Sequence, residues 1–265
     1  MPYTTVNDIN IYYELNGSGS QTVVLVGGLG SQVQSWATQV PLYSKKFTVV
    51  TFDNRGAGNS EKPAFNFTIE DMADDTIALM DHLGVGKASF VGKSMGGMIA
   101  QWIGIKYPAR VEKLVMGCSS ASRDEVGNTI LRMGRDIATK VGMKAVWLNA
   151  LFLGYSREYI ENNIESIQNA MQMIPEDPDT LRGYISQSHA CEMHDVKEML
   201  SRINSRTLVM YGEYDFITSP RRSVELGQLI PGSVVRSFKD VGHGFWREKQ
   251  EEVDSIVMDF LEDRI

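Results

Sequence analysis

Short apolar runs rich in β-branched residues recur along the chain at residues 23–26, 47–52, 88–91, 114–116 and 207–211, each ending at Gly, Asp, Ser or Cys. Uninterrupted runs of this kind suit strands covered on both faces. Between them, apolar positions repeat at three and four. Ile69, Met72, Ala73, Ile77, Met80 and Leu83 follow Thr68 and Asp71, a pair able to close a capping box at a helix start. Strand and helix alternate with short connections, which predicts βαβ crossovers and an α/β fold: a mainly parallel sheet flanked by helices on both sides. Residues 3–6 and 9–14 alternate instead as a hairpin at one edge.

The alternation stops after Cys118. From about residue 121 to 195 the pattern is helical, with helices expected over 129–140, 143–153, 157–173 and 179–192, Ser156 as an N-cap, and Pro175 and Pro178 as breakers. The strand pattern resumes near Arg206 and continues at 234–238. No repeat or long linker separates these stretches. The predicted organisation is an α/β core of residues 1–120 and 196–265 with a helical cap, residues 121–195, inserted after the sixth strand. Met133, Met143, Met171, Met173 and Met193, with Trp147, Phe152 and Tyr184, predict an apolar inner face for that cap.

Composition narrows the partners. A formal charge of −7 leaves no broad basic face for phosphate backbones or anionic lipid, so neither nucleic acid nor a membrane is an expected partner. There is no basic, apolar leader and no run of 18 apolar residues, which predicts a soluble, cytoplasmic protein. Cys118 and Cys191 lie far apart without metal-ligand spacing, and two buried free thiols are expected rather than a zinc site or a disulfide.

Gly92-Lys93-Ser94-Met95-Gly96 stands between the run at 88–91 and a helical stretch at 98–107. A strand-to-helix turn this sharp needs small flanking residues and leaves the central hydroxyl exposed at the strand end. A serine hydroxyl is a weak nucleophile at neutral pH and needs a base, itself oriented by a carboxylate. His82 lies in a surface helix and His189 and His194 in the insertion, whereas His243 occupies a loop after the strand-like 234–238. Asp215 follows the run at 207–211, giving the order nucleophile, acid, base. Glu213 and Asp240 are alternative carboxylates. Acyl transfer also needs two backbone donors for the developing oxyanion. Met95 N–H supplies one, and Leu29 N–H, in the glycine-rich Gly27-Gly28-Leu29-Gly30 loop, the second. Gly28, Trp36, Trp147 and Phe245 are candidate pocket residues, and Trp246 is a further aromatic beside the base.

These residues resemble the α/β-hydrolase superfamily over essentially the whole chain. Asp53-Asn54-Arg55-Gly56-Ala57-Gly58-Asn59-Ser60 resembles its Asp-x-Arg-Gly-x-Gly-x-Ser loop, a structural turn beside the site. Gly28-Leu29-Gly30-Ser31 leading to Trp36 resembles 3-oxoadipate enol-lactonases and related small carboxylesterases. Two positions depart from the pattern: Gly27 stands where many relatives have His, and Lys93 replaces the commoner His, Gln or aromatic residue, with a solvated or ion-paired side chain expected there. A Ser nucleophile argues against the branches in which Asp attacks. The resemblance implies a cofactor-free serine hydrolase acting through an acyl-enzyme on Ser94, with a small or medium carboxylic ester or lactone as its partner. An enol-lactonase, with Arg123, Arg132 or Arg135 meeting a substrate carboxylate, is the alternative. A carbon–carbon bond hydrolase ranks lower, because Gly244 stands where those enzymes often carry Trp. From another class comes a ligand-sensing regulator on the same fold.

Overall fold

The computed structural model describes residues 2–265. Its strands are β1 (Tyr3–Val6), β2 (Ile9–Asn16), β3 (Thr22–Val26), β4 (Thr48–Phe52), β5 (Ala88–Lys93), β6 (Val111–Gly117), β7 (Arg206–Gly212) and β8 (Val234–Phe238). They form one sheet in the order β1-β2-β4-β3-β5-β6-β7-β8. The pairs from β4 through β8 are parallel, and β1 and β2 form the antiparallel edge that the opening hairpin pattern predicts.

Alternate side chains of each central strand enter different cores, as a pleat covered on both sides requires. Val24, Val26, Phe90, Leu114, Met116 and Val209 belong to one apolar cluster. It is filled from the helical side by α2 (Ile69–His82), α3 (Met95–Lys106) and α9 (Pro220–Leu229), with Met72, Met80, Ile99, Ile103 and Leu226 buried there. Val23, Leu25, Val91, Val115, Leu208 and Met210 belong to the second cluster. It is closed by α1 (Val40–Tyr43), α10 (Phe245–Glu248) and α11 (Gln250–Leu261), through Tyr43, Phe245, Val253 and Val257. The Thr68–Asp71 capping box forms at the start of α2.

Five helices lie between β6 and β7: α4 (Glu125–Lys140), α5 (Met143–Gly154), α6 (Arg157–Asn162), α7 (Ile164–Gln172) and α8 (Pro178–Met193). The single helix expected over 157–173 is therefore two, parted at Asn163, whose φ of −123° and ψ of 16° leave the helical region. Ser156 caps α6 by accepting from Tyr159 N–H. Pro178 starts α8 at its first position behind the Asp177 cap, where a missing N–H costs nothing. Where the chain leaves and re-enters the sheet, Ser122 and Asp195 pair as an isolated antiparallel bridge, and Val196 N–H donates to Ala121 O at 3.0 Å. Among the described residues, no helix is long and apolar enough to cross a membrane.

α8 is fastened to the core. Gly183 lies against the backbone of Gly56, where any Cβ would overlap the Gly56 carbonyl. Gln187, fully buried, accepts from Gly30 N–H at 2.8 Å and donates to Arg55 O at 2.7 Å. Arg55 in turn forms a buried two-point ion pair with Asp75, at 2.5 and 2.6 Å.

Candidate active site

β5 delivers Ser94 into α3 through a backbone turn with φ 54° and ψ −115°. This is a region that L-residues avoid at a cost of about 1–3 kcal/mol. The turn is held by Ser94 N–H donating to Gly117 O at 2.8 Å and by Gly97 N–H donating to Ser94 O at 2.9 Å. The flanking glycines are steric requirements: a Cβ on Gly92 would overlap Gly96 O, and one on Gly96 would overlap Val26 O.

Asp215 lies just past β7, its side chain without solvent exposure. One oxygen, Oδ1, accepts from Ile217 N–H at 2.9 Å and Thr218 N–H at 2.8 Å. The other, Oδ2, is 2.7 Å from His243 Nδ1. An ionised carboxylate only accepts, so the imidazole carries its proton on Nδ1 and keeps Nε2 as the free lone pair. Burial pushes the His243 pKa down, but the Asp215 charge and hydrogen bond, with a contribution from the neighbouring Cys118 thiol, outweigh it and raise the pKa well above 6.5. Glu213 instead accepts from Ser237 on the exposed face, and among the described residues no hydrogen bond joins Asp240 to the imidazole. Arg123 braces the Asp215 turn from the insertion side, donating to Ile217 O at 2.9 Å and Gly127 O at 3.0 Å.

Ser94 and His243 reach the same edge of the sheet. Ser94 is bonded to Gly117, and the following residue, Cys118, lies beside the His243 ring. No hydrogen bond joins Ser94 Oγ to His243 among the described residues. Gly28 lies over Ser94: a Cβ added there would be 3.4 Å from Ser94 Cβ and 3.1 Å from Lys93 O. Neither Leu29 N–H nor Met95 N–H has a hydrogen-bond partner among the described residues, whereas Gly30 N–H is taken by Gln187. The other histidines stand elsewhere. His82 and His189 are exposed on helices, and buried His194 bonds Gln101 at 3.2 Å with its pKa pushed down to about 3 by burial and by Arg123.

A cavity of about 360 Å³ opens beside His243. Trp147 lines it, with Leu151, Tyr155 and Ile167 from the helical insertion. Trp36 and Phe245 do not. Both are completely buried, Phe245 stacked on Phe238 at 4.9 Å and Trp36 edge-on to Trp246 at 6.0 Å. Both are drawn inward because they fill the second core, together with Phe238 and Trp246. Lys93 is also corrected. It makes no ion pair: the side chain is half-buried, with its ammonium 3.7 Å from the Trp36 ring centre, 4.7 Å from that of Trp246 and 3.4 Å from Gln39 Oε1. Burial pulls its pKa down to about 7.

The expected apolar inner face holds in part: Trp147 lines the cavity and Met143 packs with Tyr184 inside the insertion, but no methionine lines the cavity. Met133, Met173, Met193 and Phe152 point to solvent, Met173 being 82% exposed. Arg132 and Arg135 are tied to Glu192 on the outer side, and Arg123 to backbone carbonyls, so none of the three faces the cavity. Arg247 does, a residue outside the candidates that the sequence suggests. Its spacing of four from His243 is the one signal that could have found it. Cys118 and Cys191 are free and buried, as their isolation in sequence predicts.

A family model described as alpha/beta hydrolase fold matches residues 21–246, and the chain belongs to that hydrolase family. It is 27% identical over 238 residues to 3-oxoadipate enol-lactonase 2 of Acinetobacter baylyi, covering 89% of this chain and 86% of that one. Its fold matches the crystal structure of the enol-lactonase from Burkholderia xenovorans with a TM-score of 0.91 at 28% identity, over 98% of this chain and 100% of the other. A thermophilic esterase from Thermogutta terrifontis matches with a TM-score of 0.87 at 26% identity, over 98% and 97%.

Proposed function

We propose that this protein is a serine hydrolase that cleaves a small or medium carboxylic ester or lactone through an acyl-enzyme on Ser94, without metal or organic cofactor. The observation that carries the reading is the 2.7 Å bond from His243 Nδ1 to buried Asp215, at the sheet edge where the strained turn presents Ser94. Asp215 fixes the tautomer, and His243 Nε2 takes the Ser94 proton as Oγ attacks the carbonyl carbon. Leu29 and Met95 N–H groups, free of other partners, receive the oxyanion. His243 then protonates the leaving alcohol, and a water that it deprotonates releases the acid. Residues 121–195 act as a cap over this site, and Gly28 with Trp147 borders the substrate.

The test is turnover of p-nitrophenyl acetate and butyrate by the wild type and Ser94→Ala. The substitution is expected to lower kcat by at least about 10⁴-fold with the melting temperature kept. Equal turnover in the two would reject the mechanism. The likeness to two enol-lactonases favours a lactone as the substrate. Turnover of 3-oxoadipate enol-lactone far above that of simple esters is the outcome that reading requires. Slow, near single-turnover hydrolysis with a ligand-dependent melting shift would point instead to a sensor.

A further inference from the structure

The loop that carries Leu29 N–H begins with two glycines, Gly27 and Gly28, a backbone with little conformational preference of its own. Residues 28–31 form a type II turn: Ser31 N–H donates to Gly28 O at 3.1 Å, and Gly30 takes the φ of 69° that such a turn needs at its third position. A trans peptide is planar with its C=O and N–H opposed, so the bond inside the turn aims Leu29 N–H out of it. The preceding plane, between Gly27 and Gly28, is set from another segment. Asn54, fully buried in the loop after β4, donates from Nδ2 to Gly27 O at 3.2 Å. β3 and β4 run parallel with Leu25 opposite Thr51, which brings the two loops off the sheet side by side. Gly28, between the two pinned planes, lies on the nucleophile turn, where a Cβ would be 3.1 Å from Lys93 O and 3.4 Å from Ser94 Cβ.

Asn54 Oδ1 is buried without a partner, so the side chain carries an unsatisfied oxygen, and its one side-chain bond is the one to Gly27 O. With the amide reversed, two acceptors would face each other, which fixes its orientation. We propose that Asn54 is a positioning residue for acyl transfer: it fixes the Gly27–Gly28 peptide and, through it, the direction of Leu29 N–H toward the oxyanion. This inference rests on the serine hydrolase reading. A donor lowers the barrier only when it is already aimed at the charge that develops, so loosening it acts on the transition state and spares substrate binding. Asp53, the residue before Asn54, holds the far end of the same loop by accepting from Val33 N–H at 2.7 Å. It also accepts from Asn59 N–H in its own turn, so replacing it would disturb two loops at once. Asn54 holds the loop by a single bond and is the residue to test.

The test is hydrolysis of p-nitrophenyl butyrate by the wild type, N54A and N54D, with inhibition by an alkyl trifluoromethyl ketone. Ser94 Oγ adds to the ketone carbon, the hydroxyl proton passes to His243, and the ketone oxygen is left negatively charged where the oxyanion forms. N54A is expected to lower kcat about 10- to 100-fold at an unchanged KM, less than the about 100- to 1,000-fold of a deleted donor, and to weaken the ketone in proportion. An unchanged kcat, or a fall in kcat with the ketone's affinity kept, overturns the assignment while leaving the serine mechanism standing. N54D keeps the shape of the side chain: ionised, it only accepts and repels Gly27 O, and protonated, it can donate. Its kcat relative to wild type, a ratio from which the His243 limb cancels, is expected to rise as pH falls, while the ratio for N54A stays level. Two ratios that move together overturn the proposal, even where both variants lose stability. If the wild type cleaves no ester, the serine mechanism fails, and amide hydrogen exchange in peptides spanning residues 27–33 decides whether Asn54 holds the loop. Faster exchange in N54A supports the hold, and equal exchange overturns it.

Discussion

At Asp215 the two carboxylate oxygens play separate parts, since one is held by two backbone N–H groups and the other holds the imidazole. Asp215→Asn keeps the first and reverses the second, since the amide then offers an N–H to His243 Nδ1 and drives the proton onto Nε2, where it blocks base action. The expected fall in kcat is about 10⁴-fold, the size such a tautomer reversal has in serine proteases. The pH profile gives an independent check. In the proposed mechanism His243 is a base only when neutral, and its pKa is raised, so wild-type activity is expected to climb with an acid limb centred above 6.5. Removing the carboxylate moves the residual limb to lower pH, and a limb that stays in place would contradict the assignment. Linkage has the opposite sign: the pair's stabilisation is full below about pH 6.5 and fades as pH rises through the raised value. Which of Glu213, Asp215 and Asp240 meets His243 was not legible from spacing alone, because it depends on how the β7 and β8 loops face one another across parallel strands.

Gln187 links two elements that are far apart in sequence. From α8 it bonds the loop carrying Leu29 and the loop carrying Arg55, both through main-chain atoms. Gln187→Ala leaves Gly30 N–H and Arg55 O without their partner, at about 1–3 kcal/mol for the buried Arg55 carbonyl and less for the exposed Gly30, which water can reach. Esterase kinetics and melting curves on the same sample are expected to show a lower melting temperature and a lower kcat, as the Leu29 N–H loses its fixed direction. A melting change with kcat intact would confine Gln187 to stability. At this scale, element existence was readable and direction was not. The strand runs and the caps at Thr68 and Ser156 are local signals, so they carried over. The break at Asn163 interrupts a pattern whose periodicity runs on through it. The outward Met133 of α4, Met173 just past α7 and Met193 of α8 follow from which side of each helix docks, a fact set by residues in other segments.

For the molecule as a whole, an electrostatic liability is Lys93, held against two indole rings next to Ser94. Cation–π attraction contributes about 2 kcal/mol or more when desolvated, while the burial of an ammonium costs several. The lowered pKa of about 7 means that burial wins. Between about pH 7 and the ordinary 10.5 the unfolded chain binds a proton that the folded one does not, so stability rises with pH across that window. Lys93→Met is therefore expected to raise the melting temperature most below pH 7, with the gap over wild type closing as pH approaches 10.5. A gap independent of pH would refute the burial argument. The α/β architecture was legible because each buried strand is an apolar run of its own. The cavity was not, since its wall is assembled from the early loop, the insertion and the His243 loop, and only the folded chain brings Arg247 to it.

The insertion is joined to the core at α8 and again at the end of α5. Gly183 and Gln187 seat α8 on the Arg55 loop, and the last residue of α5, Gly154, accepts from Gly244 N–H at 2.8 Å. Between those anchors, α6 buries no residue and α7 only Ile167, yet Tyr159, Ser166 and Ala170 border the cavity from them. Residues 157–172 thus behave as an exchangeable panel. Drift in that short stretch can reshape what the chamber admits while the parts that break bonds keep their alignment, which gives a lineage a cheap way to change diet without rebuilding its engine.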